Sequence, residues 1–260
     1  MKNIWTLAFK ELRIYFTSPI VYVVAMVFLA VSDYLFVVPI YRYASMFSQI
    51  TRFRGGGELP EINLHEAVFR PAYLSMGVVL LLMIPCLTMR LLAEEKKGKT
   101  LELLLTSPIR LSEIVIGKFL GAYLVYAFLL LLTLHQPLVL MGVTTVAWKL
   151  LLTSYLGLLL MGGLLIAWGL FASALTENQI IAAVTSFGLL IGFWLIGAMA
   201  QSTGETATDS VLHYLSVTEH LDNFIKGLID TRDITYFVSM ILLGLFLTHR
   251  VLESHRWKSL

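Results

Sequence analysis

Charge is scarce in this 260-residue chain: Asp, Glu, Lys and Arg make up 14% of it, against 58% for the hydrophobic set. Soluble domains carry about 25% charged residues, so the shortage excludes an ordinary water-exposed globule. A single cysteine, Cys86, rules out an intrachain disulfide. With one cysteine and no acid cluster matched to the histidines, metal-ligand spacing is missing, and neither a metal nor another bound cofactor is expected. The balance of 19 basic against 17 acidic residues is too even for a nucleic-acid-binding surface. No paired carboxylates, activated nucleophile or oriented base occurs in a credible context, so the chain is not expected to be an enzyme by itself. No cleavable leader is expected either, because no small-residue cleavage site follows the first apolar run.

Long apolar runs are what the chain has. A transmembrane helix needs about 20 mostly apolar residues, because every backbone hydrogen bond must close inside the segment. Six stretches meet or approach that length: 20–40, 72–89, 114–141, 150–175, 180–200 and 234–251. The expected fold is all-α, a polytopic bundle of six transmembrane helices forming one domain. Lys and Arg are retained on the cytoplasmic side. With the amino terminus inside, twelve of the 19 fall on that side and seven outside, so both termini are expected in the cytoplasm.

Residues 1–18 are themselves periodic. Ile4, Trp5, Ala8, Leu12, Tyr15 and Phe16 share one helical face, while Lys2, Thr6, Lys10, Arg13 and Thr17 share the other. Such a strip is expected to lie in the membrane interface, rings inward and cations at lipid headgroups. Ser18-Pro19 then breaks the helix where the chain turns into the membrane.

The loop between the second and third spans runs through Glu94, Glu95, Lys96, Gly98, Thr100 and Glu102 to Ser107-Pro108. Mixed charges, a glycine break, a leucine-rich segment and a capping Ser-Pro pair predict a compact helical knob. Its apolar strip, Leu101, Leu104 and Leu105, needs a partner or the bilayer edge. Gly98-Lys99-Thr100 matches the end of a phosphate-binding loop, but Ala93 stands where the opening glycine belongs and the preceding segment is a membrane helix. The chain is not expected to hydrolyse ATP.

The Glu94 to Glu102 run followed by Leu103 to Pro108 resembles the cytoplasmic loop of ABC-2 type permeases, with one extra residue, Lys99, between Gly98 and Thr100. Phe9-Lys10-Glu11-Leu12 through Ser18-Pro19 resembles their amino-terminal elbow helix, with Trp5, Lys10, Glu11 and Arg13 as its marked residues. Gly169 to Gln179 is similar to their turn between spans four and five. Within that family, overall length and the Gly227 to Asp233 stretch resemble permeases associated with bacterial gliding motility and their relatives in non-gliding bacteria. The resemblance implies a permease of a bacterial inner membrane that pairs with a second permease copy or paralogue. It also implies a dimer of separate ABC ATP-binding subunits, which carry the ATP and Mg. The elbow and the 94–108 coupling region would form the dock for those subunits.

Asp33 lies inside the first apolar run, where an ionised carboxylate at mid-bilayer costs about 2.5–3.5 kcal/mol. A shallow external position is expected, with no obvious Glu or Lys at matching depth in another helix. His135, Gln136 and Pro137 interrupt the third span; a kink is expected, with the two polar side chains serving freed carbonyls or lining a pathway. Gly117 with Gly121, Gly162 and Gly163 with Ala167, and Gly188 with Gly192 are read as helix-packing positions. Between the last two spans, Ser216 and Glu219 fit a capping box, and Leu221, Phe224, Ile225, Leu228 and Ile229 recur at helical spacing. A short amphipathic helix is expected there, either on or dipping into the outer leaflet or acting as a cap that closes the bundle. The flexible Gly55-Gly56-Gly57 marks the first external loop.

Two functions compete on these grounds. One is the permease subunit of an ATP-driven exporter, in which this chain supplies the path and the dock. The other is a membrane scaffold or motility component whose partner ATPase assembles or moves something else. A channel would need conduction without any ATPase.

Overall fold

The computed structural model describes residues 2–54, 63–106, 109–142, 147–200 and 212–258, and the elements named below are all helical. In chain order they are α1 (Lys2–Thr17), α2 (Pro19–Arg54), a π turn (His65–Phe69), α3 (Arg70–Thr88), α4 (Ala93–Lys97), α5 (Thr100–Thr106) and α6 (Leu111–Leu132). Then come α7 (His135–Met141), α8 (Trp148–Leu175), α9 (Gln179–Ala200), α10 (Val217–Ile225) and α11 (Thr231–Lys258). Ser107, Pro108 and the triple glycine lie outside the described residues.

Among the described residues, six helical stretches are long and apolar enough to span a membrane: Pro19–Gln49, His65–Lys97, Leu111–Met141, Trp148–Leu175, Gln179–Met199 and Thr231–His255. Five of the six expected runs fall inside one of them each, and 180–200 passes the end of its stretch by one residue. The first is longer than expected, because α2 continues past Ile40 to Arg54 through polar sequence. In their most apolar windows the second, third and fourth are 56–67% buried, against 22% for the other three. The bundle therefore centres on α3, α6 and α8, with α2, α9 and α11 around them.

Apolar side chains gain little by leaving lipid, so helices in a bilayer are held by close packing, and small residues set how near two backbones come. A Cβ on Gly162 would stand 2.1 Å from the Tyr126 ring, so α6 and α8 meet there with no room for a side chain. The Tyr126 hydroxyl in turn donates to the Leu158 carbonyl at 2.6 Å. Gly117 and Gly121 serve a different contact from the one expected: they seat α1 on α6. A Cβ on Gly188 or Gly192 would meet nothing within 4 Å among the described residues, which corrects their reading as contacts inside this chain.

The third span breaks one turn earlier than Pro137. Thr133 and Leu134 tighten into three-residue bonds to Leu130 and Leu131, and α7 restarts at His135. Pro137 thus sits in a first helical turn, where a missing donor is harmless. The Gln136 N–H takes the Thr133 carbonyl that Pro137 cannot serve (3.1 Å), and His135 Nδ1 donates to the Leu132 carbonyl (2.7 Å).

The amphipathic helix is real but shorter, and its apolar face is used inside the protein. Ser216 Oγ caps it by accepting from the Glu219 N–H at 3.3 Å. Val217, Leu221, Phe224 and Ile225 are buried against the bundle, and Gly157 lets Phe224 approach α8. The helix stops at Ile225 because Gly227, at φ +80°, turns the chain, with Leu228 N–H bonded to Asn223 O (2.9 Å) and Gly227 N–H to Phe224 O (3.0 Å). Leu228 and Ile229 consequently lie outside the helix and are exposed. Asp230 then caps α11 through Arg232 N–H at 2.9 Å. The 227–233 stretch therefore has a local explanation as a stop-and-start turn.

Candidate functional site

The end of the bundle that carries both termini holds a buried junction of three helices. Lys118 of α6 is nearly fully enclosed, and its Nζ reaches Glu11 of α1 at 2.8 Å and Glu95 of α4 at 2.9 Å. A lysine this deep is stable only when paired, and here two carboxylates share it. Lys10 adds a looser contact to Glu95 at 3.5 Å from the exposed side. The second carboxylate oxygen of Glu95 is buried with no hydrogen-bond partner.

Glu11 reaches Lys118 because α1 lies directly on α6. A Cβ on Gly121 would stand 2.6 Å from the Glu11 Cβ, and one on Gly117 2.7 Å from the Leu7 Cβ. The inward face of α1 is therefore Leu7, Ala8, Glu11 and Tyr15, while Trp5, Phe9 and Phe16 face out. That differs from the sequence reading, in which Trp5, Ala8, Tyr15 and Phe16 shared one side. The competing rule is burial by α6: the strip facing protein is set by two glycines and one lysine on another helix.

α3 leaves the bundle through a set of replaced backbone bonds. The Leu91 N–H turns to Thr88 O, and the Leu87 carbonyl it vacates accepts the Tyr15 hydroxyl at 2.6 Å. Desolvation by burial pushes the Tyr15 phenol pKa well up, so it remains a donor. Ser173 of α8 completes the turn. Its Oγ accepts from Leu92 and Ala93 N–H (3.1 Å each) and donates to Met89 O (3.0 Å). Arg90 closes the outside, gripping Glu94 through two bonds (2.8 and 3.1 Å) and donating to Ser18 Oγ at 3.1 Å.

The sequence-marked loop residues thus divide. Glu95 and Lys96 point inward: Lys96 Nζ donates to the Ala174 carbonyl at the end of α8 and meets His255 Nε2 at 2.8 Å. Cations favour that helix end, where carbonyls lack partners. Glu94 is half exposed, Gly98 ends α4, and Thr100 Oγ1 bonds Glu95 O at 3.3 Å as α5 begins. Leu101 is buried, whereas Glu102 and Leu103 face out, Leu103 at 72% exposure. Among the described side chains the most exposed apolar residue of the knob is therefore Leu103 rather than Leu101; Leu104 is half-buried, and the side chain of Leu105 lies outside the described residues. Trp5, Lys10 and Arg13 are exposed on α1. A cavity of about 300 Å³ lies between these helices, lined by Lys10, Tyr15, Arg90, Glu95, Leu104 and Lys118.

Lys118, Arg90, Tyr15 and Ser173 were not singled out as site residues. Lys118 carried a usable signal, being a cation inside an apolar helix that must find an acid. Ser173 carried none.

At the opposite end, Arg70 holds Asp222 of α10 through two bonds (2.8 and 2.9 Å) and Glu66 through one (2.9 Å). Burial alone would raise the Asp222 pKa; the bonds from Arg70 and Lys226 outweigh it and hold the carboxyl below its usual range. His220 and Asp233, both buried, meet at 2.5 Å, with Asn223 on the same carboxylate.

Asp33 has partners of another kind than the Glu or Lys weighed from the sequence. Its Oδ1 accepts from Gln136 Nε2 at 2.9 Å and meets His135 Nε2 at 2.9 Å. The two separately marked polar positions of the first and third spans are one cluster between α2 and α7.

Among known proteins, the model of a family described as ABC-2 family transporter protein matches residues 5–252 of the chain. No curated protein matches it.

Proposed function

This chain belongs to the ABC-2 transporter family, and from that premise we propose that it is the permease half of an ATP-driven exporter. The end carrying both termini faces the cytoplasm of a bacterial inner membrane and docks a dimer of ABC ATP-binding subunits. A second permease, identical or paralogous, completes the path. ATP and Mg reside on the docked subunits, and this chain transmits their movement.

The observation that carries this reading is the Lys118 junction. It ties α1, α4 and α6 at one enclosed ammonium, so a push on the α4–α5 knob is delivered to a membrane helix rather than lost in a slack loop. Buried, well-packed contacts move as blocks and not by continuous bending. The outward residues Glu94, Glu102 and Leu103 then form the contact surface. On α1, exposed Trp5 and Phe9 stand at the lipid boundary with Lys10 and Arg13 toward headgroups, as an interfacial elbow requires.

Co-purification tests the dock. Glu94→Arg with Glu102→Arg should lower recovery of the ATP-binding subunit at least about tenfold, the change expected for roughly 1.4 kcal/mol of lost binding. Because Glu94 also holds Arg90, Leu103→Asp, at a side chain 72% exposed, is the second variant, and it should weaken recovery too. Full recovery with both variants would remove the dock from this surface.

A further inference from the structure

The Asp33 cluster opens to the outside of the chain while lying between two membrane-spanning helices. Side chains of Asp33 and His135 are 43% and 50% exposed, and Gln136 is buried behind them. Seven residues, or about 10 Å of helix, separate Asp33 from the end of the apolar run at Ile40. Hydrocarbon cannot hydrogen-bond, so polar groups at that depth face protein or water.

The bonding also fixes the charge. A backbone carbonyl only accepts, so the bond to Leu132 O places a hydrogen on His135 Nδ1. The 2.9 Å contact between His135 Nε2 and Asp33 Oδ1 then needs a second proton between the two atoms. With that proton the pair is neutral overall. Asp33 Oδ1 is occupied by both donors, while Oδ2 has no hydrogen-bond partner among the described residues. The other titratable groups of the surrounding turns are phenols: Tyr34 next to Asp33, Tyr155 of α8 bonded to Thr133 Oγ1 at 3.1 Å, and Tyr73 of α3 edge-on to Tyr155. Among the described residues no cation is bonded to Oδ2.

We propose that this face of α2 and α7 lines a water-accessible path through the membrane. In that path Asp33, charge-balanced by His135, accepts a hydrogen bond from a hydroxyl or ammonium group of the cargo. The inference rests on the permease reading and adds the side of the bundle that the cargo meets and the polar chemistry it must present. A cargo without a hydroxyl or ammonium donor has nothing to offer Oδ2 and is disfavoured.

Thiol chemistry in native membrane vesicles tests it without a known cargo. In a Cys86→Ser background, Val37→Cys and Ala30→Cys flank Asp33 on the exposed face of α2, and Val184→Cys on α9 is the comparison. The reagents are cationic trimethylammonium-ethyl and anionic sulfonato-ethyl methanethiosulfonates, with rates normalised to a free thiol. Positions 30 and 37 should react several-fold faster than 184, with little preference between reagents. His135→Gln removes the balancing proton and should make the cationic reagent several-fold faster at position 37; adding Asp33→Asn should abolish that preference. Inertness of both α2 positions, or an unchanged reagent ratio in His135→Gln, would overturn the proposal. The readout involves no ATP-binding subunit, so failure of the dock leaves it intact.

Discussion

Lys118→Met is expected to destabilise the chain by about 3–5 kcal/mol, the scale for removing one partner of a buried charge pair. The loss arises less from the contact than from what remains. Glu11 and Glu95 would be left as two carboxylates in one enclosed space, each having faced the same ammonium at 2.8 and 2.9 Å. Among the described residues neither has a replacement cation inside, since Lys10 reaches Glu95 only at 3.5 Å and from a half-exposed position. The variant Lys118→Met, Glu11→Gln, Glu95→Gln should recover most of the stability, because a neutral junction no longer carries uncompensated charge. Thermal unfolding of the detergent-solubilised chain measures both. A single variant as stable as the wild type would mean that Lys118 is not enclosed as described.

The second large effect concerns the seating of α1. In Gly117→Leu, Gly121→Leu, the first atom of each new side chain would enter space held by Leu7 and Glu11, with the Ile4 and Ala8 carbonyls at 3.2 and 3.3 Å behind them. Backbone carbonyls do not rotate aside, so α1 must lift from α6 and draw Glu11 from Lys118. Overpacking costs about 1–3 kcal/mol per site, and the broken ion pair adds to it. Gly188→Leu, Gly192→Leu makes the same chemical change where nothing lies within 4 Å and should leave the unfolding temperature of the isolated chain unchanged. Equal effects of the two double variants would contradict the α1–α6 contact.

Glycine pairs such as these show what the sequence could and could not reveal. Spacing alone put Gly117 and Gly188 in one class, since each has a second glycine four residues on. Only three-dimensional packing separates a seam inside the chain from a face left open. Apolar length, by contrast, was legible for all six spans, because the hydrocarbon sets a minimum that composition either meets or misses. The capping box at Ser216 was readable because its partners are three residues apart. Long-range pairs were not. Asp33 meets His135 and Gln136 across about a hundred residues of sequence, and nothing local marks that meeting. The helical face of α1 was misassigned for a related reason: hydrophobic periodicity names an apolar side, but Lys118 on another helix pulled Glu11 inward instead.

The account stands on the compartment that the α4–α5 knob faces. Lys97 is exposed at the end of α4, so Lys97→Cys in a Cys86→Ser background offers one thiol there to a membrane-impermeant maleimide. The permease reading predicts no labelling in intact cells and full labelling once the inner membrane is opened. Labelling of intact cells from outside would place the knob away from ATP and contradict the account.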